Sequence, residues 1–158
     1  MKKINFYKIK RPYVFVPMCL DFLHHGHINI IKKANNYGNV ILGLLTDRGI
    51  ISYKKKRPII EFKNRKKIAM MLKNVTYIKP IKNLDSCISL SKKYKFEYVV
   101  HGDDWKKSKQ QSEFRIKLKE SMKNWRGKVI DVPYTKKISS SIIKKKIKRY
   151  KNKDKYKI

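Results

Sequence analysis

The chain has 158 residues and a formal net charge of +31, with 42 Lys and Arg against 11 Asp and Glu. Hydrophobic residues make up 41% and aromatic residues 11%, which excludes a disordered chain and predicts one globular domain with its own core. No apolar stretch reaches the roughly 18 residues of a membrane span, so we expect none. Cys19 and Cys87 lack metal-type or CxxC spacing, which predicts a reduced, cytoplasmic protein.

The positive charge has two explanations, a polyanionic partner or a biased composition. Only seven of the basic residues are Arg, and Ala occurs only at positions 34 and 69, a skew that an A/T-rich genome produces without selection for binding. Because Arg makes the bidentate contacts to phosphates and bases, its scarcity argues against specific nucleic-acid recognition. A basic nucleic-acid-binding module is therefore the least favoured alternative.

Strand and helix patterns alternate along the chain. In chain order, the strands are predicted at 13–17, 39–46, 75–78, 97–100 and 128–132. The helices are predicted at 25–36, 61–73, 85–94, 112–124 and from about 139. Near-continuous apolar runs such as 39–46 suit strands covered on both faces. The alternation predicts a single Rossmann-like α/β domain, with a parallel five-stranded sheet and helices on both faces.

Three polar clusters follow predicted strands, at 21–27, 101–104 and 134–141. In open parallel sheets, ligands bind beyond the carboxyl ends of the strands, where the strand order reverses. We therefore expect these clusters to meet at one site.

The four histidines all lie in two of these clusters: His24, His25 and His27 in the first and His101 in the second. His24 and His27 share one face of a helix start, and Gly26 leaves room for a ligand. A helix N-terminus offers free amides and a positive dipole end, so this segment favours a phosphate site. The alternative is a zinc site on His24 and His27 with Asp21 or Asp104 as a third ligand.

Weaker signals surround this segment. The run 54–57 is either solvated surface or a mobile clamp over phosphates. Asp103 and the serines at 139–141 are either turn and helix caps or part of a second anion site.

The segment His24-His25-Gly26-His27 matches the HxGH signature and resembles the nucleotidylyltransferase superfamily. Four further segments match in order: Thr46-Asp47; Lys54 and Lys56 followed by Arg65; Gly102-Asp103-Asp104-Trp105; and Ile138-Ser139-Ser140-Ser141. Within the superfamily the chain resembles cytidylyltransferases. It is most similar to the domains fused to phosphoenolpyruvate phosphomutase in phosphonate biosynthesis, and also similar to glycerol-3-phosphate cytidylyltransferases.

The resemblance implies a cytidylyltransferase domain at 13–148, an N-terminal extension at 1–12 and a Lys-rich tail at 149–158. It implies transfer of CMP from CTP, with Mg²⁺ present, to a small phosphonate of the 2-aminoethyl or 2-hydroxyethyl type. The alternative acceptors are glycerol-3-phosphate, phosphoethanolamine and phosphocholine, and an adenylyltransferase of the same superfamily is a further alternative. A homodimer and a pathway link to phosphoenolpyruvate phosphomutase are also implied.

The resemblance also assigns roles to individual residues. The catalytic residues would be His24, His27 and Lys56. The nucleotide contacts would come from Cys19, Leu20, His24, Gly26, His27, Lys56, Asp104, Thr135, Ile138, Ser139 and Ser140. The acceptor would be bound by Lys54, Arg65 and Asp21, and no protein metal ligands are implied.

Two segments depart from the simple relatives. The chain has Met18-Cys19-Leu20-Asp21 for Gly-Thr-Phe-Asp, and Tyr134-Thr135-Lys136-Lys137-Ile138-Ser139 for Arg-Thr-x-Gly-Ile-Ser. The Tyr-Thr form favours the phosphonate branch, whereas the loss of Gly at Lys137 has no explanation in the sequence.

Overall fold

Five parallel strands form one sheet in a computed structural model that describes residues 5–106 and 108–153. The strands are β1 (Tyr13–Met18), β2 (Asn39–Leu45), β3 (Tyr77–Ile81), β4 (Tyr98–Gly102) and β5 (Lys128–Val132). The α-helices are α1 (His25–Asn35), α2 (Asp47–Lys54), α3 (Phe62–Met70), α4 (Asp85–Tyr94), α5 (Lys109–Met122) and α6 (Ser140–Lys153). Three 3-10 turns cover Phe6–Lys8, Asp103–Lys106 and Lys123–Trp125. The predicted parallel α/β sheet is confirmed.

The strand order is β3-β2-β1-β4-β5. Strands β2 and β3 are added on one side of β1, and β4 and β5 on the other, so the strand order reverses between β1 and β4. Strand β1 pairs with β2 over its whole length, but with β4 only at Val14 and Phe15. Pro17 has no amide hydrogen to donate and lies beyond the residues that pair with β4. A crevice opens between the carboxyl ends of β1 and β4, where ligands bind in such sheets.

Both faces of the sheet are covered. On one face the ring of Phe15 stacks on Phe96 at a centroid distance of 4.7 Å, and α4 and α5 pack against this layer. A Cβ at Gly43 would lie 2.4 Å from the Phe15 ring, so only glycine allows this packing. On the other face, α1 and α3 pack through Ile31, Ala34 and Ala69.

Helix α2 was not among the predicted elements. Its sequence carries Gly49 and the β-branched Ile50 and Ile51, which are poor helix formers. Contacts hold it in place: Thr46 Oγ1 accepts a hydrogen bond from the Gly49 amide, and a Cβ at Gly49 would lie 2.6 Å from the Lys82 carbonyl oxygen. Lys55, with φ +54°, ends the helix in the left-handed conformation.

The domain bounds 13–148 stay a prediction, and helical structure is present on both sides of them. Within the expected extension 1–12, Phe6 is buried, with its ring 4.4 Å from Tyr94 and 5.2 Å from Tyr13. Within the expected tail 149–158, α6 continues to Lys153. Residues 1–4 and 154–158 lie outside the described part of the chain. No helix among the described residues is long and apolar enough to cross a membrane.

Candidate active site

A cavity of about 340 Å³ lies at the carboxyl ends of β1 and β4. One side is formed by the start of α1 and the segment 133–141, which leads into α6. The other side is formed by the last turn of α2 and the first part of α5. The three polar clusters of the sequence therefore meet here: His24, Gly26, His27, His101, Asp104, Thr135, Ile138, Ser139 and Ser140 all line the cavity, together with Cys19 and Lys54.

The two motif histidines lie at the start of α1 with their rings in contact. The ring centroids of His24 and His27 are 3.9 Å apart at an interplanar angle of 32°. His24 is the N-cap residue and its side chain makes no capping hydrogen bond, while the His27 amide donates to the His24 carbonyl at 2.9 Å. The Nδ1 atoms of both rings are buried, without a hydrogen-bond partner within the described chain. The helix start therefore presents unpaired imidazole nitrogens beside the positive end of the helix dipole.

Burial keeps both imidazoles neutral. It lowers the pKa of His27 from 6.5 to about 3, and electrostatic repulsion of a proton on His27 by the neighbouring basic groups of His24, Lys54 and His101 adds to the effect. Burial, and to a lesser extent His25, lowers the pKa of His24. At neutral pH these rings can donate a hydrogen bond without carrying a charge, so positive charge in the cavity comes from Lys54.

Gly26 sits tightly between the two sides of the cavity. A Cβ at this position would lie 3.0 Å from His24 Nδ1 and 3.4 Å from Thr135 Cβ. Any larger residue would displace the His24 ring, so glycine here sets the position of that imidazole.

The segment 134–139 is fastened from several directions. The Tyr134 amide donates to Asp103 Oδ1 at 3.0 Å, and the Thr135 hydroxyl oxygen accepts from Asn29 at 3.2 Å. Ser139 Oγ accepts from the Ile142 amide at 3.1 Å, so Ser139 caps α6. Asp103 and Ser139 thus have the turn and cap roles expected of their residue types, and Ser139 also lines the cavity.

Four residues predicted to contact nucleotide or acceptor lie outside the cavity wall. Lys56 is exposed and follows the left-handed residue that ends α2, so only Lys54 of the basic run reaches the wall. Leu20 is buried in the core that carries α1 and α3. Asp21 accepts from the Ile59 and Ile60 amides, at 2.7 and 2.9 Å, and pairs with Lys144.

Arg65 is the fourth of these residues, and it is fully buried. It donates to the carbonyl oxygens of Ile60, Cys19 and Leu45 at 2.9, 2.5 and 2.8 Å, and to Asp47 Oδ1 at 2.7 Å. The guanidinium therefore ties the ends of β1 and β2 to the starts of α2 and α3, behind the cavity-lining residues Cys19 and Leu45 rather than on the wall itself.

No group of three His, Cys, Asp or Glu side chains suited to a metal ion occurs in residues 5–106 and 108–153. The alternative zinc site also loses Asp21, because both of its carboxylate oxygens are engaged by the 59–60 amides and Lys144. Asp104 lines the cavity beside the histidines without completing a ligand set.

Sequence reasoning did not assign His101 to the site, although it placed the residue in a polar cluster. His101 lines the cavity, and its ring stacks on Trp105 at 4.5 Å and 11°. Trp105 Nε1 donates to Asp131 Oδ1 at 2.7 Å, and Arg115 and Lys106 also bind Asp131. These partners come from distant segments of the chain, so only the fold reveals that they support the cavity wall.

The comparison with known families gives a clear match. A family profile described as "Cytidylyltransferase-like" covers residues 16–146. The chain belongs to this family. The match confirms the predicted class of enzyme, the nucleotidyltransferases.

Relatives within this cytidylyltransferase-like family differ in length. A glycerol-3-phosphate cytidylyltransferase from Bacillus spizizenii is 34% identical over 87 residues, 54% of this chain and 67% of the relative. The bifunctional protein HldE from Methylobacillus flagellatus is 31% identical over 123 residues, 75% of this chain. An ethanolamine-phosphate cytidylyltransferase from Arabidopsis thaliana is 28% identical over 105 residues, 58% of this chain. The chain spans only 24% and 23% of the lengths of these last two proteins.

Solved structures share the fold of this cytidylyltransferase-like chain. A lipopolysaccharide core biosynthesis protein from Thermoplasma volcanium superposes with a TM-score of 0.60 at 20% identity, over 80% of this chain and 98% of that one. A protein of unknown function from Archaeoglobus fulgidus also has a TM-score of 0.60, at 18% identity, over 80% and 93%. At these identities the likeness establishes the fold alone.

Proposed function

We propose that this protein transfers CMP from CTP to a small acceptor that carries a phosphate or phosphonate group. An oxygen of that group attacks the α-phosphorus of CTP and forms a new P–O bond. The bond from the α-phosphorus to the bridging oxygen breaks, and pyrophosphate leaves with that oxygen. The reaction needs two anionic substrates held in line and charge stabilised on the phosphate oxygens.

The observation that carries the proposal is the pair of touching imidazoles at the start of α1, inside a two-sided cavity. His24 and His27 have buried nitrogens without partners, at a helix N-terminus suited to phosphate. Across the cavity, Lys54 supplies a positive charge, and hydroxyl groups from the start of α6 line the remaining wall. Hydrogen bonds from two neutral rings and one ammonium group would stabilise the transition state.

The residues present fit a magnesium ion that arrives with the nucleotide. Mg²⁺ prefers oxygen ligands and is commonly held by substrate phosphates, waters and one or two carboxylates. Asp104 is the carboxylate on the described cavity wall. It would hold the ion next to the phosphates, and the ion would neutralise charge on the leaving pyrophosphate.

For the acceptor we favour a phosphate ester such as glycerol-3-phosphate or phosphoethanolamine. Relatives named for these two substrates are 34% and 28% identical to the matched parts of this chain. A phosphonate is the second candidate, supported by the Tyr134-Thr135 form of the nucleotide-binding segment. Roles for Cys19, Thr135 and Ser140 in holding CTP accord with their positions on the wall.

A pyrophosphate-release assay tests the reaction class. The purified protein would be incubated with Mg²⁺ and CTP or ATP, and with glycerol-3-phosphate, phosphoethanolamine, phosphocholine, 2-aminoethylphosphonate or 2-hydroxyethylphosphonate. We expect release with CTP and at least one phosphate ester. Faster release with a phosphonate would reverse the order of the two acceptor candidates, and release only with ATP would overturn the nucleotide assignment.

Variants of the histidine motif provide the matched test of mechanism. His24→Ala and His27→Ala should each lower kcat by about 10²–10³, the usual cost of removing one donor to a developing charge. His25→Ala is the control, because His25 is exposed and does not line the cavity. Equal effects of all three variants would contradict the assignment of His24 and His27.

A homodimer, a cytoplasmic location and a pathway link to phosphoenolpyruvate phosphomutase stay predictions. A catalytic role for Lys56 also stays a prediction. It would require the segment after α2 to move toward the cavity, because the exposed Lys56 side chain is not part of the wall.

A further inference from the structure

Asp21 joins three segments that frame the cavity. The residue is buried in the loop between β1 and α1, just before the two motif histidines. Its Oδ1 accepts hydrogen bonds from the amides of Ile59 and Ile60, in the segment that follows the basic run 54–57. Its Oδ2 forms an ion pair at 2.5 Å with Lys144, a residue of α6. One carboxylate therefore connects the loop before the imidazoles, the segment after the basic run and the helix whose first residues line the cavity.

The pair of Asp21 and Lys144 is ionised and partly shielded from water. Burial raises the pKa of Asp21, but the hydrogen bonds from Lys144, Ile60 and Ile59 outweigh burial and hold the pKa below its ordinary value of 3.8. The Lys144 side chain is 33% exposed and that of Asp21 only 6%. The Lys144 ammonium also lies 5.9 Å from the centroid of the Phe22 ring. Because salt and water screen a partly buried pair less than an exposed one, this contact is stronger than a surface ion pair.

Helix α6 contacts the rest of the domain mainly through its first turns. Ile142, Ile143 and Lys144 are half-buried, whereas the side chains of residues 145–150 are all exposed. Within the described part of the chain, the pair with Asp21 is the one hydrogen bond or ion pair found between a side chain of α6 and a distant segment. Lys144 is therefore the main polar anchor of the helix.

This anchor bears on the cavity because the serines at 139–141 line the cavity wall. The segment that leads to these serines is fastened at its start by hydrogen bonds to Asp103 and Asn29. At its other end it continues into α6, where Lys144 binds Asp21 within the first turns of the helix. The ion pair therefore fixes the serines relative to the imidazoles at the start of α1. A wall that is already in place loses less conformational entropy when a ligand binds.

We infer that Lys144 is a positioning residue for nucleotide binding, which holds α6 against the loop between β1 and α1 so that the serines face the imidazoles before CTP arrives. Lys144 does not line the cavity, so it acts through Asp21 and α6 rather than by touching a substrate. This inference rests on the proposed function. It also gives Asp21 a role different from the acceptor binding that the family resemblance implies.

Substitutions on both sides of the ion pair test this role. In Lys144→Met, which removes the charge, we expect the KM for CTP to rise about five- to tenfold, because α6 must then be ordered when CTP binds. The kcat should stay within about threefold of wild type, because the ordered complex is the same, and the KM for the acceptor should not change. Lys144→Arg should restore most of the affinity for CTP.

Asp21→Asn keeps an oxygen that can accept from the Ile59 and Ile60 amides but loses the charge that attracts Lys144. It should raise the KM for CTP by a similar factor. Because both substitutions break the same contact, the double variant should be no worse than either single variant.

Lys145→Met is the matched control, because Lys145 is the next residue of α6 and its side chain is exposed. It should bind CTP as the wild type does. A thermal denaturation scan verifies that each variant is folded at the assay temperature. A lower melting temperature in Lys144→Met with an unchanged KM for CTP would show a structural role alone and overturn the positioning role. Equal rises in the KM values of both substrates would overturn it as well.

Calorimetric titration with CTP separates this inference from the proposed function, because it measures affinity without turnover. If CTP bound but no acceptor gave pyrophosphate release, the proposed reaction would be overturned. The CTP affinities of Lys144→Met and Lys145→Met would still decide the role of Lys144, and equal affinities would refute it. Failure of the wild-type protein to bind CTP would overturn both.

Discussion

Replacing Arg65 by Met distinguishes a structural role from a role in acceptor binding. Met keeps much of the volume of Arg but removes the donors that satisfy three carbonyl oxygens and Asp47. Because the side chain is fully buried, no water can take the place of those donors without a rearrangement of the ends of β1 and β2.

The expected loss of stability follows from these four hydrogen bonds. Each of these bonds is donated by the charged guanidinium, and a hydrogen bond to a charged group contributes about 1.5–3 kcal/mol, although bonds made by one side chain are not additive. The Asp47 side chain is 38% exposed and can be rehydrated, so we take the lower end of that energy range for the bond between Arg65 and Asp47. We therefore expect Arg65→Met to lower the free energy of unfolding by about 3–5 kcal/mol, in line with breaking a buried ion pair. For a domain of this size the melting temperature should fall by about 6–20 °C.

Urea unfolding followed by circular dichroism measures this change, with Arg48→Met as the control. Arg48 lies on α2, is exposed and makes no hydrogen bond among those found, so its replacement should change stability by less than about 0.5 kcal/mol. If Arg65→Met unfolded at the wild-type urea concentration and raised only the KM for the acceptor, the structural reasoning would be refuted. The prediction from the sequence, that Arg65 binds the acceptor, would then be correct.

Three further predictions concern the helix start, the α6 entry and pH. Gly26→Ala should raise helix stability by about 1 kcal/mol yet lower kcat about tenfold, because its Cβ would displace His24 by a few tenths of an ångström. Lys137→Gly should raise the free energy of unfolding by about 0.5–1 kcal/mol, because Lys137 has φ +63°. Lowering the pH from 7.5 to 5 should lower stability by up to about 2 kcal/mol, and by less in His27→Gln.

The sign of the pH effect follows from the pKa of His27, about 3 in the folded protein against 6.5 ordinarily. Between these values the unfolded chain binds a proton that the folded protein does not, so stability is lost as the pH falls through 6.5. Asp131 and Asp21 have pKa values below 3.8 when folded, so their contributions are lost only at lower pH. Urea midpoints at both pH values measure the effect, and equal midpoints would contradict it.

The predictions for Gly26→Ala and Lys137→Gly can also be contradicted by measurement. Unchanged kcat in Gly26→Ala would mean that His24 tolerates displacement or is not catalytic. A lower melting temperature in Lys137→Gly would mean that contacts of the Lys side chain outweigh the backbone strain at that position.

Local sequence patterns predicted the helices and strands well where local interactions determine the secondary structure. Helix 85–94 and strand 128–132 were predicted with the observed bounds. Helix α2 was missed because distant contacts stabilise it, including the fit of Gly49 against the Lys82 carbonyl. Its position also decides which lysine of the basic run reaches the cavity, because Lys54 is its last helical residue.

The candidate site likewise has features that could be predicted from the sequence and features that could not. The meeting of the three polar clusters could be predicted, since the carboxyl ends of parallel strands share one edge of the sheet. The burial of Arg65 could not, because its carbonyl partners at Cys19 and Leu45 are 46 and 20 residues away along the chain. The same holds for His101, whose orientation depends on Asp131 in another strand.

The segment before α6 shows how the structure resolves a departure from the family pattern. The simple relatives have Gly where this chain has Lys137, and Lys137 adopts the left-handed conformation that glycine favours. Lys137 thus carries a backbone strain that glycine at this position would avoid. Tyr134, which replaces the Arg of those relatives, donates its hydroxyl to the Ile138 carbonyl at 3.1 Å and braces the turn from within. Lys137 and the Tyr134–Ile138 hydrogen bond therefore both act on the turn that leads into α6.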